Sequence, residues 1–213
     1  MKTIVLAGAT SASGLAVARA LITAGMRVVA TGRSADRLQP LADAGARTDV
    51  ADATSLDDMI ALAERLASEG LVVDAVVPLV GGWRGGGGLA GQSDEDFAAL
   101  LPALDAVRAT SRAFDGALRA SDAGRFAIVS STAVARPLAG GANYAAVKAA
   151  SEAWTRAVAQ GFAKAARDTG EPLRAASVVF RAKALDPGLL APRIVGLWDA
   201  DAAELNDGVI DLE

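Results

Sequence analysis

Thr3-Ile4-Val5-Leu6-Ala7-Gly8-Ala9-Thr10-Ser11-Ala12-Ser13-Gly14-Leu15-Ala16-Val17-Ala18 decides how the chain is read. An apolar run, Thr3–Leu6, breaks at Gly8, and Ala12–Ala24 then follows helical spacing, so the stretch is a strand, a tight turn and a helix. Gly8 permits the turn. Small residues at Ala12 and Gly14 let a pyrophosphate approach the main chain, facing helix N–H groups and the positive end of their dipole. The residues placed against such a phosphate are Gly8, Thr10, Ser11, Ala12 and Gly14. A turn made of small residues only for packing has the same sequence, and the loop alone does not separate the two.

Outward from this unit the pattern alternates. Val28–Thr31 is a second apolar run, followed by a polar helix near Ala35–Ala42, and a third strand ends at Asp49-Val50. Ser55 caps a helix running to Ser68, ahead of Asp57 and Asp58. Val72–Val80 is a near-continuous apolar run, as a strand covered on both faces should be. Ser93 caps a helix from Asp94, Pro102 marks a kink or restart, and helix continues to about Arg119. Phe126–Ser131 and Leu173–Phe180 read as strands flanking a long helix, Ala142–Ala166. Asp186-Pro187 opens a helix to about Trp198, and Gly208–Leu212 closes as a strand. This order predicts an α/β, Rossmann-like, doubly wound parallel sheet in three α/β/α layers, with residues 1–213 as a single dinucleotide-binding domain. The run from Gly81 to Gly88 follows the fourth strand and reads as a flexible loop on the sheet's carboxyl edge, where ligands bind in such sheets.

Composition narrows the chemistry. Of 213 residues, 52% are hydrophobic and 22% charged, enough for a sizeable core. Acidic residues outnumber basic ones 25 to 21 and no basic tract occurs, which speaks against a nucleic-acid or anionic-membrane partner. The longest uncharged run, Thr3–Ala18, is too short and too polar to span a bilayer. No secretory signal pattern is present, so a cytoplasmic protein is expected. The chain has no His and no Cys, which removes His-based triads, Cys nucleophiles, disulfides and nearly all transition-metal sites; no metal is expected. One tyrosine, four lysines and two asparagines (Asn143, Asn206) remain, beside Ser, Thr and carboxylates.

Two placements stand out. The second strand ends Thr31-Gly32-Arg33. An acidic residue there would bond a dinucleotide's 2′-hydroxyl, whereas Arg33 would pair with a 2′-phosphate, unless it is simply a solvated surface Arg. Ser131 ends the fifth strand, and Tyr144 and Lys148 lie four apart on the next helix, sharing one face. An ammonium beside a phenol should pull its pKa down from about 10 toward the working pH, making Tyr144 a proton donor and acceptor. Ser131 could hold a carbonyl oxygen. A tyrosine at the core rim with a lysine reaching past it is the plainer alternative.

Together these residues resemble the short-chain dehydrogenase/reductase family. Gly8, Ala12 and Gly14 are similar to its Gly-x-x-x-Gly-x-Gly loop, with Ala in the middle position. Gly14–Leu21 resembles its first helix, Thr31-Gly32-Arg33 its NADP-type second strand, and Asp49-Val50 its adenine-contacting pair. Ser131, Tyr144 and Lys148 match its catalytic trio, and Gly81 its glycine after strand four. The resemblance covers about residues 1–180. It implies an NADP-dependent oxidoreductase with NAD the lesser cofactor. Tyr144 would be general acid/base, Lys148 would lower the tyrosine's pKa and hold the nicotinamide ribose, and Ser131 would orient a small carbonyl or alcohol substrate. It also implies a homodimer or homotetramer through helices 102–119 and 142–166, although Phe114, Trp154 and Phe162 on those helices could equally pack on the sheet. The chain departs from the family at Pro78-Leu79-Val80-Gly81, where Asn-Asn-Ala-Gly is usual. Leu104 stands where a catalytic Asn is often found, Phe180-Arg181 where Pro-Gly is usual, and the substrate-covering lobe is missing. Two readings follow: an NADP-dependent carbonyl reductase or alcohol dehydrogenase with an open site, favoured by the retained trio, and a non-catalytic NADP(H)-binding or scaffold protein of the same fold.

Overall fold

Alternation in the first strand sends Ile4 and Leu6 to one face and Val5 and Ala7 to the other, and all four are out of solvent. A strand buried on both sides needs a layer of helices on each. The computed structural model, which describes residues 1–212, has that form. Seven parallel strands make one sheet in the order β3-β2-β1-β4-β5-β6-β7. They are β1 (Thr3–Ala7), β2 (Arg27–Gly32), β3 (Arg47–Val50), β4 (Ala75–Pro78), β5 (Arg125–Ser131), β6 (Ala176–Ala182) and β7 (Gly208–Asp211). The helices are α1 (Ala12–Thr23), α2 (Ala35–Asp43), α3 (Leu56–Ser68), α4 (Asp94–Ala120), α5 (Ala142–Thr169), α6 (Pro187–Val195) and α7 (Ala202–Leu205).

Val17 and Leu21 of α1, Leu38 and Leu41 of α2, and Leu190 and Ile194 of α6 cover the Ile4–Leu6 face. Met59 and Leu62 of α3, Phe114 and Leu118 of α4 and Phe162 of α5 cover the other. Buried Phe114 and Phe162 thus pack on the sheet, while Trp154 is only partly buried at the edge of that layer, under the Arg108 guanidinium 5.3 Å from its ring centroid. The caps read from sequence are formed: Ser55 accepts from the Asp58 amide, Ser93 from that of Asp96, and Asp186 from that of Gly188.

The strand order reverses between β1 and β4, the point at which ligand crevices open in such sheets. A second opening lies beside it, between β4 and β5. The fourth strand is Ala75–Pro78 rather than Val72–Val80: Val72 is exposed, and Pro78 lacks an N–H for the ladder. Consequently β4 pairs with β5 only at Ala75↔Arg125 and Val76↔Phe126, and the two strands part beyond. Three further expectations are corrected. Pro102 does not restart the helix, because α4 runs through it; Leu100, Ala103 and Ala106 bury on either side and offset the ~3 kcal/mol of an interior proline. The sixth strand starts and ends later than expected, so Phe180-Arg181 lies inside β6, where Arg181 is the register partner of Ser130 and Asp211. The helix opened by Asp186-Pro187 ends at Val195 and gives way to a 3-10 turn at Gly196–Trp198. Between β6 and β7 there are only these short pieces and α7, so no lobe overhangs the carboxyl edge.

Candidate active site

Ser131 ends β5, and its Oγ accepts from the Ala133 amide at 3.2 Å, capping a 3-10 turn at Thr132–Val134. The chain then crosses to a second such turn, Ala139–Gly141, which launches α5. This return brings Tyr144 and Lys148 back over the end of β5. Lys148 donates from Nζ to the Val129 carbonyl at 2.8 Å and sits 5.8 Å from the centroid of the Tyr144 ring. Ser131, Tyr144 and Lys148 all line one crevice of about 830 Å³ in the gap between β4 and β5. Leu104 of α4 packs in the same small cluster as Tyr144, giving the ring an apolar neighbour.

The electrostatics differ from the sequence expectation. Burial pushes the Tyr144 phenol above its ordinary value, and the neighbouring Ser131 hydroxyl only partly opposes this. The expected lowering by Lys148 is not found, because its ammonium is directed to a backbone carbonyl. Burial in turn draws Lys148 down to about 8, against the pull of Glu152, which raises it. The pair is therefore a protonated phenol beside an ammonium that titrates just above neutrality.

The glycine loop after β1 is held from behind. Gly8 (φ +73°) donates to Thr31 Oγ1 at 3.2 Å and the Ala9 amide to the Thr31 carbonyl at 2.9 Å. A Cβ on Gly8 would lie 2.4 Å from Val80 Cγ2. Gly14 has a different role: a Cβ there would be 2.1 Å from the Ala9 carbonyl oxygen, so it lets α1 pack against the loop. Ala12 and Gly14 line neither cavity, whereas Gly8, Thr10 and Ser11 do. A second cavity, about 330 Å³, runs from this loop to Arg33. The two cavities share Ser11, Leu79, Val80 and Gly81, so one continuous groove follows the carboxyl edge from Arg33 to Tyr144. That length, a glycine cradle at its middle and a cation at one end fit a phosphorylated dinucleotide.

Arg37 and Ser34 line the Arg33 end as well, and neither was singled out from sequence; a single Arg four residues into a polar segment carries no signal until α2 brings it alongside Arg33. Asp49 and Val50 lie outside this cavity. The Asp49 carboxylate is taken by Arg65 at 2.6 Å and Arg47 at 3.4 Å, and Val50 faces solvent. Ala51–Thr54, one step further on, forms the wall instead.

The glycine run is not a loose tether. Gly86, Gly87 and Gly88 take φ of +127°, +66° and +66°, which side chains rarely adopt, and a Cβ on Gly85 would meet the Gly140 carbonyl oxygen at 2.3 Å. The Gly86 amide donates to that carbonyl at 2.7 Å. Gln92 completes the clasp: its Nε2 reaches the carbonyls of Gly86, Gly88 and Gly140, and its Oε1 accepts from the Asn143 amide. Nothing in the sequence marks Gln92, whose partners lie up to 51 residues away. Gln92→Ala should speed amide exchange at Gly86 about tenfold, the ~1.4 kcal/mol of a lost hydrogen-bond set, with global stability nearly unchanged. Unchanged protection there would mean the glycine backbone holds itself.

A family described as short chain dehydrogenase matches residues 2–166. No curated protein matches the chain. A solved structure described as a short chain dehydrogenase from Escherichia coli superimposes with TM-score 0.85 at 19% identity, covering 100% of this chain and 96% of its own. An actinorhodin polyketide ketoreductase with NADPH gives TM-score 0.82 at 19% identity, covering 99% of this chain and 95% of its own. A short chain dehydrogenase from Shigella flexneri, complexed with NADP, gives TM-score 0.82 at 19% identity, covering 99% of this chain and 96% of its own. At such identities the likeness is one of fold, and the parallel order, the glycine cradle and the family match agree with it. Among the described residues no helix is long and apolar enough to cross a membrane. The chain belongs to the short chain dehydrogenase family of oxidoreductases.

Proposed function

We propose that the protein reduces the carbonyl group of a bulky, apolar substrate with NADPH. The observation that carries this is the convergence of Ser131, Tyr144 and Lys148 on one crevice continuous with the Arg33 groove. Arg33, Arg37 and Ser34 would hold the 2′-phosphate, Gly8–Ser11 the pyrophosphate, and Lys148 the nicotinamide ribose. Bound there, the nicotinamide supplies the hydride. Ser131 orients the carbonyl oxygen, and Tyr144 delivers its proton to that oxygen. A phenol whose pKa is raised by burial stays protonated through the neutral range, which suits it to donation.

The apolar substrate follows from the lining. Among the described residues Lys148 and Lys183 are the only charged side chains in the crevice, and no carboxylate or side-chain amide is present. A polyol would find few partners for its hydroxyls, and a cationic amine would be repelled. Where family members carry asparagines, Pro78 and Leu79 provide an apolar wall. Trp83, 62% exposed on the glycine loop, and Leu138, 78% exposed across from it, offer a platform at the mouth.

NADPH oxidation should therefore proceed with aryl and long-chain ketones and fail with sugars. Trp83→Ala should raise KM for an aryl ketone about tenfold, the ~1.4 kcal/mol of one aromatic contact, and leave a small diketone unaffected. Equal KM in both proteins would remove Trp83 from the site. NADPH binding without turnover of any carbonyl would leave the non-catalytic reading in place.

A further inference from the structure

Helix α5 begins without a cap of its own. Ser11, Ser55 and Ser93 stand directly before α1, α3 and α4, and each side chain accepts from an amide of the first turn. α5 is the longest helix, at 28 residues, and Gly141 at its cap position has no side chain to offer. Its first turn holds no acidic residue either, yet that turn carries Tyr144. The missing partner comes from the end of the glycine run. Gln92 Oε1 accepts from the Asn143 amide at 3.1 Å, the bond that an N-cap side chain makes to the second helical residue. Asn143 returns a bond from Nδ2 to the Ser93 carbonyl at 2.9 Å, so the starts of α4 and α5 are tied together just ahead of the phenol.

Gln92 does not line the crevice, whereas Gly86, Gly140 and Tyr144, which are its partners or lie beside them, do. It can therefore act on the chemistry only through what it holds. The other constraints on the phenol are loose along the helix axis. The Tyr144 ring packs with Leu100, Ala103 and Leu104 of α4 and Val147 of α5, and apolar contacts carry no direction. The Ser131 hydroxyl beside the phenol can turn to follow it. Lys148, one turn later, reaches the Val129 carbonyl through a flexible four-carbon stem. The directional bonds next to Tyr144 are those of Gln92 and Asn143.

Resting on the reading of Tyr144 as the proton donor, we propose that Gln92 is a positioning residue for the reduction: it caps α5 from the glycine run, with Asn143 and Ser93 completing the tie, and so holds the Tyr144 hydroxyl in place against Ser131 and the substrate carbonyl. A residue that only shaped a wall of the crevice would act on substrate binding. A cap one residue ahead of Tyr144 acts on proton transfer, whichever carbonyl is bound.

Gln92→Ala should lower kcat about ten- to a hundredfold, the loss expected for a misplacement of about 1 Å, and leave KM within about twofold. The loss should be equal for an aryl ketone and a small diketone. Tyr144 is the only tyrosine in the chain, so protein carrying carbon-13 in its tyrosine rings gives one set of ring signals by NMR, with neither cofactor nor substrate present. In Gln92→Ala these signals should move and broaden while the methyl signals of the core stay in place. A raised KM at unchanged kcat, or a loss confined to the aryl ketone, would overturn the proposal and leave Gln92 as a wall residue. Unmoved tyrosine signals would overturn it too. Should Gln92→Ala fail to fold, Asn143→Ala, which loses only the Ser93 bond, decides: a kcat lower by about threefold at steady KM supports the tie, and an unchanged kcat refutes it. Displaced tyrosine signals in a protein that turns over no carbonyl would keep the positioning role and reject the reductase; turnover with kcat and signals indifferent to Gln92 would do the reverse.

Discussion

Tyr144→Phe should reduce kcat for carbonyl reduction by about a hundred- to ten-thousand-fold, the range that one positioned proton donor contributes. NADPH affinity should stay within about twofold, because the ring keeps its packing against the Leu104 cluster and only the hydroxyl is lost. Stopped-flow or steady-state NADPH oxidation measures the first, and the rise of Tm with NADPH concentration the second. The pH dependence follows from the same two groups. Reduction requires the phenol protonated and the ammonium charged. Burial raises the phenol, so it does not deprotonate near neutrality, whereas Lys148 loses its proton above about 8. Wild-type kcat/KM should therefore be level through neutral pH and fall as pH rises past about 8, with a slope of one proton. A Phe variant as active as wild type would end the acid/base assignment.

The βα alternation was legible because periodicity is local: each strand or helix repeats its apolar residues within its own length, and each cap lies beside the element it caps. Ser55, Ser93 and Asp186 were found in that way. Tyr144 and Lys148 were legible because one turn of helix fixes their common face. The failures share a cause, which is competition between groups far apart in sequence. Pro102 stays helical because its neighbours Leu100 and Ala103 are buried against Val147 of α5, and Ala106 over the sheet. Asp49 is turned from the groove by Arg65 of α3, and the phenol is raised because Leu104 and its surroundings exclude water while Lys148 finds Val129. The extent of β6 was misjudged since Arg181, an unpromising strand residue, is accepted there only through Glu152 on α5. Gln92 shows the same limit, its role existing only once Gly86 and Gly140 have met.

Replacing both Arg33 and Arg37 with Ala should weaken NADPH binding about a hundred- to ten-thousand-fold, on ~1.5–3 kcal/mol for each charge-assisted hydrogen bond, while NADH binding changes little. Isothermal titration with each cofactor gives both numbers. The local electrostatics make this more than a reading of one arginine. Arg33 precedes α2 and Arg37 lies in its first turns, so two cations stand at the positive end of the helix dipole, where cations are unfavourable. Asp36 is nearby but does not line the cavity. Ser34, at the cap position, makes no capping hydrogen bond with its side chain, unlike Ser11, Ser55 and Ser93 at the starts of α1, α3 and α4. A phosphate dianion would satisfy the amides, the free hydroxyl and both guanidinium groups at once. The double variant without ligand should then be as stable as the wild type or a few tenths of a kcal/mol more so, since a repulsion has been removed. Stability that falls together with NADPH affinity would show the arginines to be structural, and equal loss of NADPH and NADH would place the 2′-phosphate elsewhere.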